Sequence, residues 1–131
     1  MIVDSPSLLI TDDDRALRET LGDLFQERGF RTLLAADGVE AVEIVRADVV
    51  HLVLLDQNMP RLKGLEVVGR LLQLELSLPC ILMSAEMDDA LQRAAGMSNV
   101  FSVLAKPLRP AVITDAVAAA MRSRYDWPPM N

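Results

Sequence analysis

The stretch Val50-His51-Leu52-Val53-Leu54-Leu55-Asp56-Gln57-Asn58-Met59-Pro60-Arg61-Leu62-Lys63-Gly64 decides the fold. Its first part is continuously apolar rather than alternating, the pattern of a strand buried on both faces of a parallel sheet. The run ends on a carboxylate and passes through turn-forming residues. It then resumes as Leu65, Val68, Leu71 and Leu72, which share one helical face. A buried strand, a polar turn and an amphipathic helix make the first two-thirds of a βαβ unit, the connection that parallel strands require.

Outward from this stretch the same alternation repeats. Other short apolar runs are Leu8 to Thr11, Thr32 to Ala35, Cys80 to Ser84 and Val100 to Ala105. Between them, Leu17, Leu21, Leu24 and Phe25 form a helical stripe with Gly29 as its stop. Val39, Val42 and Val45 form another, opened by Asp37-Gly38. A thinner face, with Met87, Leu91, Ala94 and Ala95, spans Asp88 to Ala95. The last stripe, Ile113, Ala116, Val117, Ala120 and Met121, follows Pro110, which suits a first helical turn. Strand and helix thus alternate throughout, and right-handed crossovers place helices on both faces of the sheet. The expected fold is α/β, a doubly wound parallel sheet of five strands, with its ligand site at the carboxyl ends of the strands. From Arg122 to Asn131 the pattern lapses, and Trp127-Pro128-Pro129 cannot prolong a helix. Residues 1–124 therefore read as one domain, and 125–131 as a tail, the expected start of a linker to an output domain.

Composition narrows the function. The chain has 131 residues, 51% hydrophobic and 24% charged, ordinary values for a folded domain and too apolar for disorder. Its formal net charge of −6 argues against direct nucleic-acid binding, which relies on Lys and Arg to neutralise phosphates. No signal-peptide pattern and no bilayer-length apolar run is present, so the expectation is a cytoplasmic protein without membrane contact. Cys80 is the only cysteine, which precludes an internal disulfide, and it reads as core. His51 reads as structural, and the seven Met residues as core filler.

The chemistry gathers where the strands end. Asp12, Asp13 and Asp14 follow the first, Asp56 the third, Ser84 the fourth, and Lys106-Pro107 the fifth. Taken singly these are ordinary: Asp14 reads as a helix N-cap, and an isolated Asp, Ser or Lys as a turn, structural or solvated residue. Four of five strand ends together are not ordinary. Convergent carboxylates raise one another's pKa unless a cation is present. Oxygen ligands without His or Cys suit a hard cation, Mg²⁺ above all where phosphate is handled. A Lys and a hydroxyl facing that cation complete a cradle for a phosphoryl group, whose transfer needs mainly positioning and charge stabilisation.

With these residues in hand, the chain resembles the receiver domains of response regulators over about residues 6 to 122. Asp12 and Asp13 match the family's acidic pair, and Asp56-Gln57-Asn58-Met59-Pro60 with Gly64 completes its D-x-x-M-P-x-x-x-G pattern. Ser84-Ala85 and Lys106-Pro107 match the remaining motifs in order. The resemblance implies a flavodoxin-like strand order 2-1-3-4-5. It makes Asp56 the acceptor of a phosphoryl group from a sensor histidine kinase or phosphotransfer protein. Mg²⁺ would be bound by Asp13, Asp56 and the Asn58 carbonyl, with Asp12 acting mainly through water. Lys106 and Ser84 would hold phosphoryl oxygens, and Lys106-Pro107 would be cis. Asn58 and Glu86 would set the lifetime of the acyl phosphate. The switch region would include Ser84, Val103 and Phe101. Val103 stands where the family often has an aromatic; Phe101, two residues earlier, reads as core on the same strand face and as a partial substitute.

Two other functions compete. A phosphatase of the haloacid dehalogenase type would place its nucleophile in a D-x-D motif after the first strand and need another acidic pair after the Lys. Here Asp14 is followed by Arg15-Ala16, and beyond Lys106 only Asp115 and Asp126 occur, far apart. A pseudo-receiver, serving as a protein scaffold without phosphorylation, is the alternative that Val103 keeps open. No Gly-rich loop follows the first strand, so nucleotide binding has no support.

Overall fold

The computed structural model describes residues 5–127. Its central strands are those the sequence makes continuously apolar: β1 (Ser7–Thr11), β3 (Leu52–Asp56) and β4 (Cys80–Ser84) are buried at every position. The edges are β2 (Arg31–Ala35) and β5 (Val100–Ala105), both more exposed. All pairings are parallel, in the order β2-β1-β3-β4-β5. The chain reverses its direction of travel between β1 and β3, and the crevice at such a switch point is where doubly wound sheets bind ligands.

The helices are α1 (Arg15–Gln26), α2 (Gly38–Ala47), α3 (Gly64–Gln73), α4 (Asp89–Met97) and α5 (Pro110–Tyr125). Because strand side chains alternate between faces, the core divides in two. Leu9, Val53, Leu55 and Leu82 pack with α2, α3 and α4, whereas Leu8, Ile10, Leu54, Ile81 and Met83 pack with α1 and α5. Asp14, Asp37 and Asp88 each cap a helix, accepting from the backbone N–H of Leu17, Glu40 and Leu91 at 3.2, 2.9 and 2.7 Å. Such caps contribute about 1 kcal/mol apiece.

Several expectations need correction. Helix α5 does not stop at Met121; Arg122, Ser123 and Arg124 form the solvent side of its last turns, and Tyr125 returns to the core. The Tyr125 hydroxyl donates to the His51 carbonyl at 2.7 Å. Asp126 is left-handed (φ 53°) and turns the chain so that Trp127 packs on Phe30, ring centroids 4.7 Å apart. Pro128 to Asn131 lie outside the described residues. Met59, Met83 and Met121 are core, but Met87 and Met97 on the α4 side are exposed. Phe101 is not core either, being 43% exposed. A bulge between the Cys80–Val100 and Ile81–Ser102 pairs shifts the register, so that Val100 and Val103, three residues apart, both face the α4 core. Phe101 is the extra residue, and bulges turn such side chains away from the regular face. His51 is structural as expected, its Nδ1 accepting the Ser7 N–H at 2.9 Å.

Candidate functional site

Each acidic group is placed by the end of a strand. Asp12 directly follows β1 and is fully buried, Asp56 closes β3 and is 3% exposed, and Asp13 faces solvent at the mouth. One carboxylate oxygen from each lies within 4.8 Å of the other two. The Asp12 side chain accepts the Asp14 N–H at 2.9 Å, and Asp56 accepts the Asn58 N–H at 3.3 Å, which fixes both loops around the carboxylates. Gly64 makes the third strand's turn feasible. A β-carbon there would meet the Asp56 carbonyl at 2.9 Å and Leu82 Cδ2 at 2.8 Å, closer than any side chain fits.

Lys106 crosses the sheet to this cluster. Its Nζ donates to Asp12 Oδ2 at 2.7 Å and stands 3.3 Å from Asp56 Oδ1. Burial works against the ammonium, but the bonds to Asp12 and Asp56 outweigh it, and its pKa is raised. The Asp56 carboxyl is also held above its usual range, first by burial and then by the neighbouring Asp12 charge, with Lys106 offsetting only part. The pocket thus carries more negative charge than its own cation neutralises, the electrostatic condition for binding another cation. The Lys106-Pro107 peptide is cis.

Ser84, at the end of β4, is 1% exposed. Its hydroxyl donates to the Glu86 carbonyl at 2.9 Å and accepts from the Glu86 N–H at 3.1 Å and, more weakly, from Asn58 Nδ2 at 3.4 Å. Asn58 is therefore beside Ser84, while Glu86 reaches it only through its backbone. Val103 packs against the α4 core. Phe101 lines a separate surface hollow with Ser77 and Arg124, near the start of β5, and does not belong to the acidic pocket.

A family model, the response regulator receiver domain, matches residues 8–118. The chain belongs to this family. Among curated relatives, the receiver is 36% identical over 119 residues to the response regulator MprA of Mycobacterium ulcerans, covering 90% of this chain and 51% of that protein. The receiver spans about half the length of the curated relatives it matches. Among solved structures, a CheY-like receiver domain protein from Methanospirillum hungatei superposes with a TM-score of 0.87 at 18% identity, over 92% of this chain and 96% of that one. The response regulator TrrA of Thermotoga maritima, solved in complex with Mg²⁺ and BeF, superposes with a TM-score of 0.79 at 25% identity, over 88% and 98% of the two chains. No helix among the described residues of the receiver is long and apolar enough to cross a membrane.

Two polar residues beside the site were not singled out in the sequence. Arg18 donates to the Asp12 carbonyl at 2.7 Å, steadying the loop after β1. The signal was its place one helical turn beyond Asp14, on the α1 turn that faces that loop. Arg61, left-handed at φ 69°, pairs with Asp37 and ties the loop after β3 to the start of α2. A non-glycine residue in that region of φ leaves no mark in a sequence.

Proposed function

We propose that this domain is a cytoplasmic phosphorylation switch whose acceptor is Asp56. The observation that carries this reading is the convergence of three carboxylates and Lys106 at the switch point, with a buried hydroxyl beside them. The donor set is all oxygen and over-negative, which fits Mg²⁺. Asp13, Asp56 and the Asn58 carbonyl would hold the ion, with Asp12 behind them. The ion would neutralise charge on the phosphoryl oxygens and on the carboxylates. A carboxylate oxygen of Asp56 attacks phosphorus as the P–N bond of a kinase or phosphotransfer-protein phosphohistidine breaks, and the imidazole leaves with its electron pair. Lys106 balances charge on one phosphoryl oxygen and Ser84 donates to another. Asn58 and Glu86 flank the path of the hydrolytic water and set the lifetime of the product. The domain returns only its own phosphoryl group and turns over no external ester. Only the residues beyond Trp127 would lead towards an output domain or partner protein, since Tyr125 and Trp127 pack on the core.

Transmission starts at Ser84, whose hydroxyl must leave the Glu86 carbonyl to reach a phosphoryl oxygen, freeing the segment before α4. Val103, stiff and small, has no ring to rotate, and the outward Phe101 does not replace one. The test is an intact-mass spectrum after incubation with acetyl phosphate and Mg²⁺, beside Asp56→Ala. A single Mg²⁺-dependent phosphate adduct that is lost in the variant is the expected result. No adduct after a fast quench, with no beryllofluoride binding, would replace the switch with the scaffold reading.

A further inference from the structure

On the α1–α5 side of the sheet, beyond the C-terminal end of α1, lies a hollow of about 360 Å³. Phe25, Phe30 and Val117, all buried, line it, and Trp127 walls it. Two residues of left-handed conformation set the course of the chain beside this wall. Asp126 (φ 53°) folds the chain back after α5, and Gly29 (φ 94°) turns it after α1 beside the indole, whose Cζ2 would stand in ordinary contact, 3.9 Å, with a β-carbon there. At Gly29 it is the positive φ, which a side chain would strain, and not space beside the ring, that calls for glycine.

The rim is cationic. Arg28 at the end of α1 and Arg122 on α5 both line the hollow, and neither is in a side-chain ion pair or hydrogen bond among the described residues. In a chain of net charge −6, two uncommitted guanidinium groups beside an aromatic floor form a local reversal of sign. Thr114 adds no free donor, because its hydroxyl is bonded to the Pro110 carbonyl at 2.8 Å. The volume falls in the range of small-molecule pockets, which combine an apolar lining with a few polar anchors. We propose that this hollow binds a small amphipathic anion, a ring-sized apolar body carrying one acidic group that lies between Arg28 and Arg122. Bound there, the ligand rests on Trp127 and pins the turn that follows α5.

Trp127 is the only tryptophan in the chain, so binding reports itself. The full chain is titrated with 8-anilinonaphthalene-1-sulfonate, and in parallel with N-phenyl-1-naphthylamine, the same ring body without the sulfonate. Expected are saturable one-to-one binding, energy transfer from Trp127, and a preference for the sulfonate of about tenfold, the size of one charge-assisted contact. Arg28→Gln with Arg122→Gln abolishes the preference but leaves the neutral probe bound, and Ala118→Phe, which fills the hollow, blocks both. Far-ultraviolet circular dichroism and phosphate uptake on Asp56 stay as in the parent. Equal affinity for the two probes overturns the proposal. So does sulfonate binding that ignores the double substitution, binding without energy transfer from Trp127, or no binding.

Discussion

Helix α3 contains two glycines for which the same substitution should have opposite effects. Gly69 is exposed in its middle, and a β-carbon there would meet nothing within 4 Å. Gly69→Ala therefore collects only the helix preference for Ala, about 0.5–1 kcal/mol. Gly64 opens the same helix, and its β-carbon would lie 2.8 Å from Leu82 Cδ2, 2.9 Å from the Asp56 carbonyl and 3.1 Å from Gln57 Cα. Two of these neighbours are backbone and cannot rotate aside. Overpacking of this kind costs about 1–3 kcal/mol, and subtracting the helix gain leaves a net loss of about 0–2.5 kcal/mol, near 1 kcal/mol at mid-range. A domain of 131 residues unfolds with an entropy of roughly 0.27 kcal/mol/K. Gly69→Ala should then raise Tm by about 2–4 °C and Gly64→Ala should lower it, by about 4–5 °C at mid-range. Calorimetry or urea unfolding of both variants checks this. Because the clash falls on the backbone of Asp56, Gly64→Ala should also weaken stabilisation by Mg²⁺. A Gly64→Ala protein as stable as the parent would refute the reading of that contact, as would a destabilised Gly69→Ala.

Mg²⁺ itself should stabilise the domain by about 2.7 kcal/mol at one hundred times its dissociation constant, a rise in Tm of roughly 10 °C; EDTA should reverse it and Asp13→Asn should abolish it in a thermal-shift assay. Tyr125→Phe removes the bond to the His51 carbonyl and should cost about 0.5–1.5 kcal/mol in urea unfolding. His51 has its pKa lowered from 6.5 by burial, so the folded state disfavours the proton; its contribution to stability is whole above 6.5 and is lost as pH falls below it. Urea midpoints measured from pH 7.5 to 5.5 should decline, and less steeply in His51→Phe. Asp56 acts in the opposite sense, since its raised pKa means that taking up a proton favours the folded state as pH falls towards its unfolded value of 3.8. Asp56→Asn should therefore raise Tm at pH 7 without Mg²⁺, and an unchanged Tm would remove the charge-repulsion account of the pocket.

The fold was legible because its signals are local. Continuous apolar runs at Leu52–Asp56 and Cys80–Ser84 identify doubly buried strands, and the Asp56 carboxylate and the Ser84 hydroxyl fall at their ends. Lys106 is expected beside the carboxylates as a phosphoryl ligand; its direct bond to Asp12, 94 residues away, is a contact no local signal announces. What escaped depends on single backbone angles or register. Nothing in Val100-Phe101-Ser102 announces the bulge that turns Phe101 outward. Arg122 to Arg124 look like the end of a helix because an exposed turn carries no apolar marks. The left-handed Asp126 that returns Trp127 to Phe30 is invisible for the same reason.

If Asp56 takes up a phosphoryl group as proposed, the bonds around Ser84 limit how strongly that can act. To donate to a phosphoryl oxygen on Asp56, Ser84 must surrender its 2.9 Å bond to the Glu86 carbonyl. A neutral hydrogen bond contributes about 1 kcal/mol net, and one to a charged oxygen about 1.5–3 kcal/mol. The exchange therefore favours the released state by roughly 0.5–2 kcal/mol, a population shift of about 2- to 30-fold. An almost complete flip would take about 5.5 kcal/mol. The segment that Ser84 releases leads into α4, which buries only Leu91 and Ala95 and is the most lightly held of the helices. A modest bias applied to a lightly held element produces a graded response. Without an aromatic at Val103 to act as a second latch, grading is the behaviour the local interactions support.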